Sequence, residues 1–208
     1  NTALGNKALY SNVGGDRNVA IGNEALEAMS PSSAGTDTHN VAVGFRAGHS
    51  VTTGTNNTIV GNDGLQATTT GSNNTMLGYA AAYSSTTASN NVGVGRESLY
   101  QNTSGSYNTA VGYRAMMDHT GTGNSYHTAV GASALENTTT GVRNTGLGYG
   151  ALFTNTTGNY NVAIGMQALN SNTTANSNTA VGYVSMYSNT SGANNVALGY
   201  GALQDNTT

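Results

Sequence analysis

His39 stands two residues after Asp37, and Asp118, His119 and His127 share one short stretch, so the chain twice sets a carboxylate near an imidazole. These are donor types that hold a divalent cation. Both groups lie where the chain's otherwise constant spacing is broken, in residues 27–39 ("EAMSPSSAGTDTH") and 116–127 ("MMDHTGTGNSYH"). Loops added to a regular scaffold often carry binding, which makes Asp37, His39, Asp118, His119 and His127 candidate binding residues. The plainer reading, surface loops with incidental histidines, is preferred, and no metal or other cofactor is expected.

Tyrosine supplies the second candidate chemistry. Tyr79, Tyr113, Tyr149, Tyr183 and Tyr200, with Phe45, each follow a glycine of the repeated phrase, and Tyr10, Tyr83, Tyr100 and Tyr187 form a second set. A phenol ring has an apolar face and a polar tip, so such columns can stack on sugars, pack against a partner, or stack on one another. Catalysis is not expected. The nine acids are scattered with no pair at a fixed spacing, and the Gly-x-Gly pairs and "GGD" at 14–16 are turns, since no helix follows them to bind phosphate.

What positions these residues is a period. Gly5, Gly22, Gly44, Gly61, Gly78, Gly95, Gly112, Gly131, Gly148, Gly165, Gly182 and Gly199 are separated by steps of 17 residues, except for one of 22 and one of 19. Such self-similarity marks a repeat architecture. Asn1, Asn18, Asn40, Asn57, Asn74, Asn91, Asn108, Asn144, Asn161, Asn178 and Asn195 open the units, with His127 in place of the remaining Asn. The phrase alternates with period two, as in Val162, Ala163, Ile164, which is strand spacing. The following Ala and Leu (Ala151 and Leu152, Ala168 and Leu169) start a second short strand or a corner, and "NTTG" at 155–158 is turn chemistry.

One such coil cannot enclose a core. Stacked at about 4.8 Å, twelve of them make a rod roughly 55 to 60 Å long, bonded from coil to coil. The expected fold is therefore all-β: a β-solenoid, or β-roll, of twelve roughly 17-residue coils in a single repeat domain over 1–208. The aliphatic column (Ile21, Val43, Val111, Ile164 and their equivalents) is expected to form the core with the Leu and Met column, and stacked Asn side chains to form a ladder. Thr52, Thr69, Thr86, Thr139 and Thr156 fall in the polar turn, where a Thr file raises ice binding. Against that, the residue two places away varies. The turns also hold N-x-Ser/Thr triplets at Asn102, Asn137, Asn155, Asn172, Asn189 and Asn206, glycan acceptors in a host with the machinery.

Composition narrows the partners. Charged residues make up 7% of the chain against about 25% in ordinary domains, and a net charge of -3 gives no basic footprint for nucleic acid. There is no Cys to form disulfides. No apolar run approaches the roughly 18 residues of a membrane span. The chain opens on Asn, in phase with its repeat, and reads as a slice of a longer protein.

The phrase "NVAIG" at 161–165, with its eleven equivalents, resembles the head repeat of trimeric autotransporter adhesins, the YadA-like β-roll. Similar "NTAVGYxAL" phrases occur in phage tail-fibre shafts and large bacterial surface proteins. The resemblance covers essentially the whole chain, and departs in period, the family's head coil being shorter. It implies a left-handed, homotrimeric roll with the narrow column (Ala3, Ala20, Ala110, Ala163, Ala180) where chains approach. The expected function is a structural and adhesive repeat domain of a cell-surface adhesin or phage-type fibre, extracellular, with itself and a host-surface glycan or protein as partners. The alternatives are a self-assembling extracellular filament subunit and, third, an ice-binding protein.

Overall fold

A computed structural model describes residues 1–31, 33 and 35–208, so Ser32 and Ala34 of the first insertion lie outside the described residues. Twelve three-residue strands, from Thr2–Leu4 to Val196–Leu198, form one parallel sheet in chain order. The register never slips: Thr2 pairs with Val19, Thr109 with Thr128, and Ala180 with Ala197. The chain is a β-solenoid, with no helix among the described residues.

Ala and Leu after the strand make a corner rather than a second strand. Leu26, Leu99 and Leu152 take φ of 49°, 54° and 54°, left-handed values that reverse the chain. Such backbone costs a non-glycine residue roughly 1–2 kcal/mol, and each of these leucines is fully buried, which offsets it. The insertions add two small parallel pairs, Gly15–Asp16 with Thr36–Asp37 and Ser104–Ser106 with Thr122–Asn124.

The core is inverted from the sequence expectation. Alternate strand residues point to opposite faces, and it is the middle residue that points in: Ala20, Ala42, Ile59, Ala110, Ala129 and Ala163 are all 0% exposed. They meet Leu65, Leu99, Met116, Leu135 and Leu169, also 0% exposed. The aliphatic column points outward, with Leu77 and Leu147 at 46% and 43% exposure. The physical reason is width, since the interior has room for one leucine and one small residue per coil. Where the small residue grows, a neighbour shrinks. Ile59 fills the space a Cβ would need at Gly48 and Gly64, at 2.8 and 2.9 Å, and Met76 Sδ lies 2.6 Å from a Cβ built on Gly93. The Ala column therefore cannot be where chains approach one another.

The asparagine ladder closes each coil and ties it to the next. Asn144 Oδ1 accepts the N–H of Asn161 at 2.9 Å, and Asn161 Oδ1 accepts that of Asn178 at 2.9 Å. Asn161 Nδ2 donates to the Ala175 carbonyl, fourteen residues on, at 2.8 Å. At Asn108 the second insertion puts that carbonyl out of phase, and its Nδ2 has no partner among the described residues. Asn161→Ala is expected to strand the Asn178 N–H inside the coil and to leave the Ala175 carbonyl with only its bond from Asn172 Nδ2 at 3.1 Å. At about 1–3 kcal/mol for the stranded group and about 1 kcal/mol for the lost bond, the urea midpoint of the variant should fall below wild type with an unchanged slope.

Candidate functional site

Within a coil the sixth, seventh and tenth residues, counted from its Asn, line one long face of the rod. The sixth file holds Tyr79, Tyr113, Tyr149, Tyr183 and Tyr200, all exposed as the sequence suggests. Tyr183 stacks on Tyr200 with ring centres 5.3 Å apart, and Tyr83 stacks on Tyr100 in the tenth file at 5.2 Å and 7°. Guanidinium groups lie over other rings, Arg114 over Tyr113 at 5.2 Å and Arg96 over Tyr79 at 5.6 Å.

The seventh file reads Arg46, Asp63, Ala80, Glu97, Arg114 over five successive coils. Ala80 leaves a gap there, and a cavity of about 400 Å³ opens over it. Tyr79 and Tyr83 wall the gap on its two sides, and Asp63 and Glu97 lie at its two ends along the rod, each next to an arginine. Glu97 Oε2 accepts from Arg114 Nε at 2.8 Å and Oε1 from Arg96 at 3.0 Å. These bonds, that to Arg114 foremost, hold the Glu97 carboxyl below the usual carboxylate range against its partial burial. Burial pushes the Tyr100 phenol up. Asp63 Oδ1 is buried in the wall with no hydrogen-bond partner among the described residues.

A second recess, of about 150 Å³, is lined by Tyr149, Gly150, Phe153, Gln167 and Asn170. Gly150 occupies the same seventh file as Ala80. Both recesses thus occur where that file loses its side chain, between an aromatic residue of the sixth file and one of the tenth.

The insertion residues behave differently. Asp37 pairs with Arg17 at 2.9 Å, and His39 is exposed with Nε2 3.4 Å from Arg17, so a cation already occupies this corner. Asp118 accepts from Gln101 Nε2 at 2.8 Å on the surface. His119 and His127 are not loop ligands: they are buried, with their rings in an edge contact at 5.1 Å. His119 Nε2 bonds Ser125 Oγ at 2.9 Å, while His127 replaces Asn in the ladder.

Sequence reasoning missed Glu24, Glu27 and His49, the one cluster among the described residues with metal-ligand spacing. His49 Nε2 lies 3.3 Å from Glu27 and 3.8 Å from Glu24. Lys7 and Arg46 already match the two carboxylates at 3.3 and 3.5 Å, which makes it an ion-pair network. The signal was in the register, because the tenth file places His49 one coil above Glu27.

Two further expectations change. Asn102, Asn155, Asn172 and Asn189 are 0% exposed and form a second inward file. Each donates Nδ2 to the carbonyl three residues on at 2.9 to 3.1 Å, so the folded chain does not offer these side chains to a glycan. The Thr hydroxyls of the polar turn are also spent internally: Thr52, Thr86, Thr139 and Thr156 each donate to the carbonyl of the next coil at 3.0 Å. A hydroxyl that bonds along the file axis has no proton left to donate to an ice surface.

No helix among the described residues is long and apolar enough to cross a membrane. No family model, curated protein or solved structure matches this chain.

Proposed function

We propose that this chain is a structural and adhesive rod of an extracellular adhesin or phage-type fibre, assembled side by side with copies of itself, three by the resemblance, and binding by multivalent display. One observation carries the reading. All twelve strands put Thr, Val, Ile or Leu at both outward positions, so the outer face of the sheet bears no charge from end to end. The nearest charged residues, such as Arg96 and Arg143, sit beyond the corners.

Eleven steps of about 4.8 Å and a width of about 10 Å give a stripe on the order of 500 Å². At about 25 cal/mol per Å², covering it contributes roughly 12 kcal/mol per chain. Association costs about 4–15 kcal/mol, so the gain is sufficient only when the rods engage along their full length. That favours one discrete, register-matched assembly over loose aggregation. The aromatic and charged face beyond the glycine corner then stays free, and repetition along it replaces a single tight site with many weak ones.

Light scattering on the 21.0 kDa chain is expected to give a discrete species of three times that mass. In Val111→Lys with Val130→Lys, two adjacent outward residues carry charge while the interior is unchanged, and this variant should run as a folded monomer. A wild-type monomer would overturn the lateral assembly. Polymers that grow with concentration would favour end-to-end stacking into a filament instead.

A further inference from the structure

We propose that the recesses over Ala80 and Gly150 are saccharide pockets, each taking one pyranose ring of a glycan; this rests on the adhesive reading and names its ligand. A sugar ring presents an apolar C–H face and a rim of hydroxyls, and a site for it needs a flat aromatic surface beside fixed polar groups. The larger recess supplies both. Tyr79 and Tyr83 flank the floor at Ala80, and Tyr83 is held flat by its stack with Tyr100. Asp63 and Glu97 are two coil steps apart along the rod, about 10 Å, which leaves room for a ring between carboxylates that accept from its hydroxyls. Asp63 Oδ1 is buried in the wall without a hydrogen-bond partner among the described residues. Arg46 and Arg114 border the same cavity as donors.

Charge balance selects the ligand. Two carboxylates and two guanidinium groups line the larger recess and cancel, so neither an anion nor a cation is favoured over a neutral polyol. The carboxylates are also too far apart to share a metal ion, whose oxygen ligands lie at about 2.0–2.6 Å. The second recess repeats the plan without charge: Tyr149 and Phe153 on the two sides, with the amides of Gln167 and Asn170 as donors and acceptors. Asn170 Nδ2 is fixed by the Gly150 carbonyl at 3.0 Å. Four coils separate Ala80 from Gly150, about 19 Å, so one polysaccharide strand can reach both.

The fold supplies its own control. Gln167 occupies the seventh file at φ 57°, close to the 54° of Ala80 and the 61° of Gly150, so Ala80→Gln and Gly150→Gln fill the recesses with a side chain the file already accepts. A Cβ on Gly150 meets nothing closer than 3.4 Å. The test is saturation-transfer NMR with the methyl pyranosides of glucose, galactose, mannose and N-acetylglucosamine, on wild type and on both variants. At least one probe is expected to receive saturation from tyrosine protons. Its affinity should fall about tenfold or more in Ala80→Gln and be lost in the double variant, while light-scattering mass stays at the wild-type value; melting temperature holds in Ala80→Gln and falls on Gly150→Gln only by the left-handed backbone strain of a non-glycine residue.

No transfer to any probe would overturn the proposal, and a trimeric mass in the same sample would leave the assembly reading intact. Transfer that survives the double variant would also overturn it, by placing saccharide binding elsewhere on the adhesive face. A changed mass in Ala80→Gln would show the recess to be a contact between chains.

Discussion

Gly112→Ala is expected to split the rod near its middle. At Gly112 the backbone runs at φ 140°, a region that L-residues rarely enter, and an added Cβ would lie 2.5 Å from the carbonyl oxygen and 2.6 Å from the carbonyl carbon of Gly131. That carbonyl belongs to the next coil, which is pinned by bonds from Gly131 N to Val111 O at 2.7 Å and from Ser133 N to Tyr113 O at 2.9 Å. Relief of the clash means pulling the two coils apart. Backbone strain costs about 1–3 kcal/mol, and each inter-coil bond given up about 1 kcal/mol, so the loss should reach about 4 kcal/mol. Gly199 separates the two causes, because it has φ 124° but nothing within 4 Å of its added Cβ. Gly199→Ala should therefore show the strain alone, about 1–3 kcal/mol. Urea midpoints read both variants, and limited proteolysis should nick only Gly112→Ala between its seventh and eighth coils. Equal losses in the two would mean that coil stacking is not what demands glycine.

That glycine file, the period and the asparagine file were legible in the sequence, because each demands one residue type at one place. Which strand face is the core was not. Val162, Ala163 and Ile164 invite the branched residues inward by hydrophobicity, yet it is Ala163 that is buried. The outer face is apolar too, so a count of hydrophobic residues cannot rank the two faces. Volume can: Ile59 beside Gly48 and Gly64, and Met76 beside Gly93, are compensations found only where side chains share a confined space. The twelfth file holds Met29 and Val51 as well as Asn102, His119 and Asn155, all buried. Alone, each Asn reads as a glycan acceptor, but a file that also accepts Met points inward. The recesses were hidden for a related reason, since the seventh position varies so freely that Ala80 and Gly150 carried no signal until Tyr79, Tyr83, Tyr149 and Phe153 were placed around them.

Acid is expected to open the rod at the coils of His119 and His127. His127 stands in the asparagine file and reproduces the amide with its two nitrogens: Nδ1 accepts the N–H of Asn144 at 3.2 Å, and Nε2 donates to the Gly141 carbonyl at 2.7 Å. That pattern requires the neutral ring protonated on Nε2. Burial holds His127 at about 4, and burial together with the nearby His127 ring holds His119 at about 3. Both folded values lie below the unfolded value of about 6.5, so the unfolded chain binds protons first as pH falls. The stability these neutral rings permit is complete above about pH 6.5 and drains away on acidification, on the order of 3 kcal/mol for each ring by pH 4. Hydrogen exchange at pH 7 and pH 4 should therefore show protection falling first at residues 108–144, with little change between pH 7 and pH 9. His127→Asn restores the ordinary ladder, with Nδ2 placed to reach the Gly141 carbonyl as Asn144 reaches Gly158 at 2.7 Å. It removes one titrating ring and the ring contact that helps to depress His119, so the acid loss should be roughly halved while stability at pH 7 is kept. An undiminished loss in His127→Asn would mean that these imidazoles do not set the acid limit of the rod.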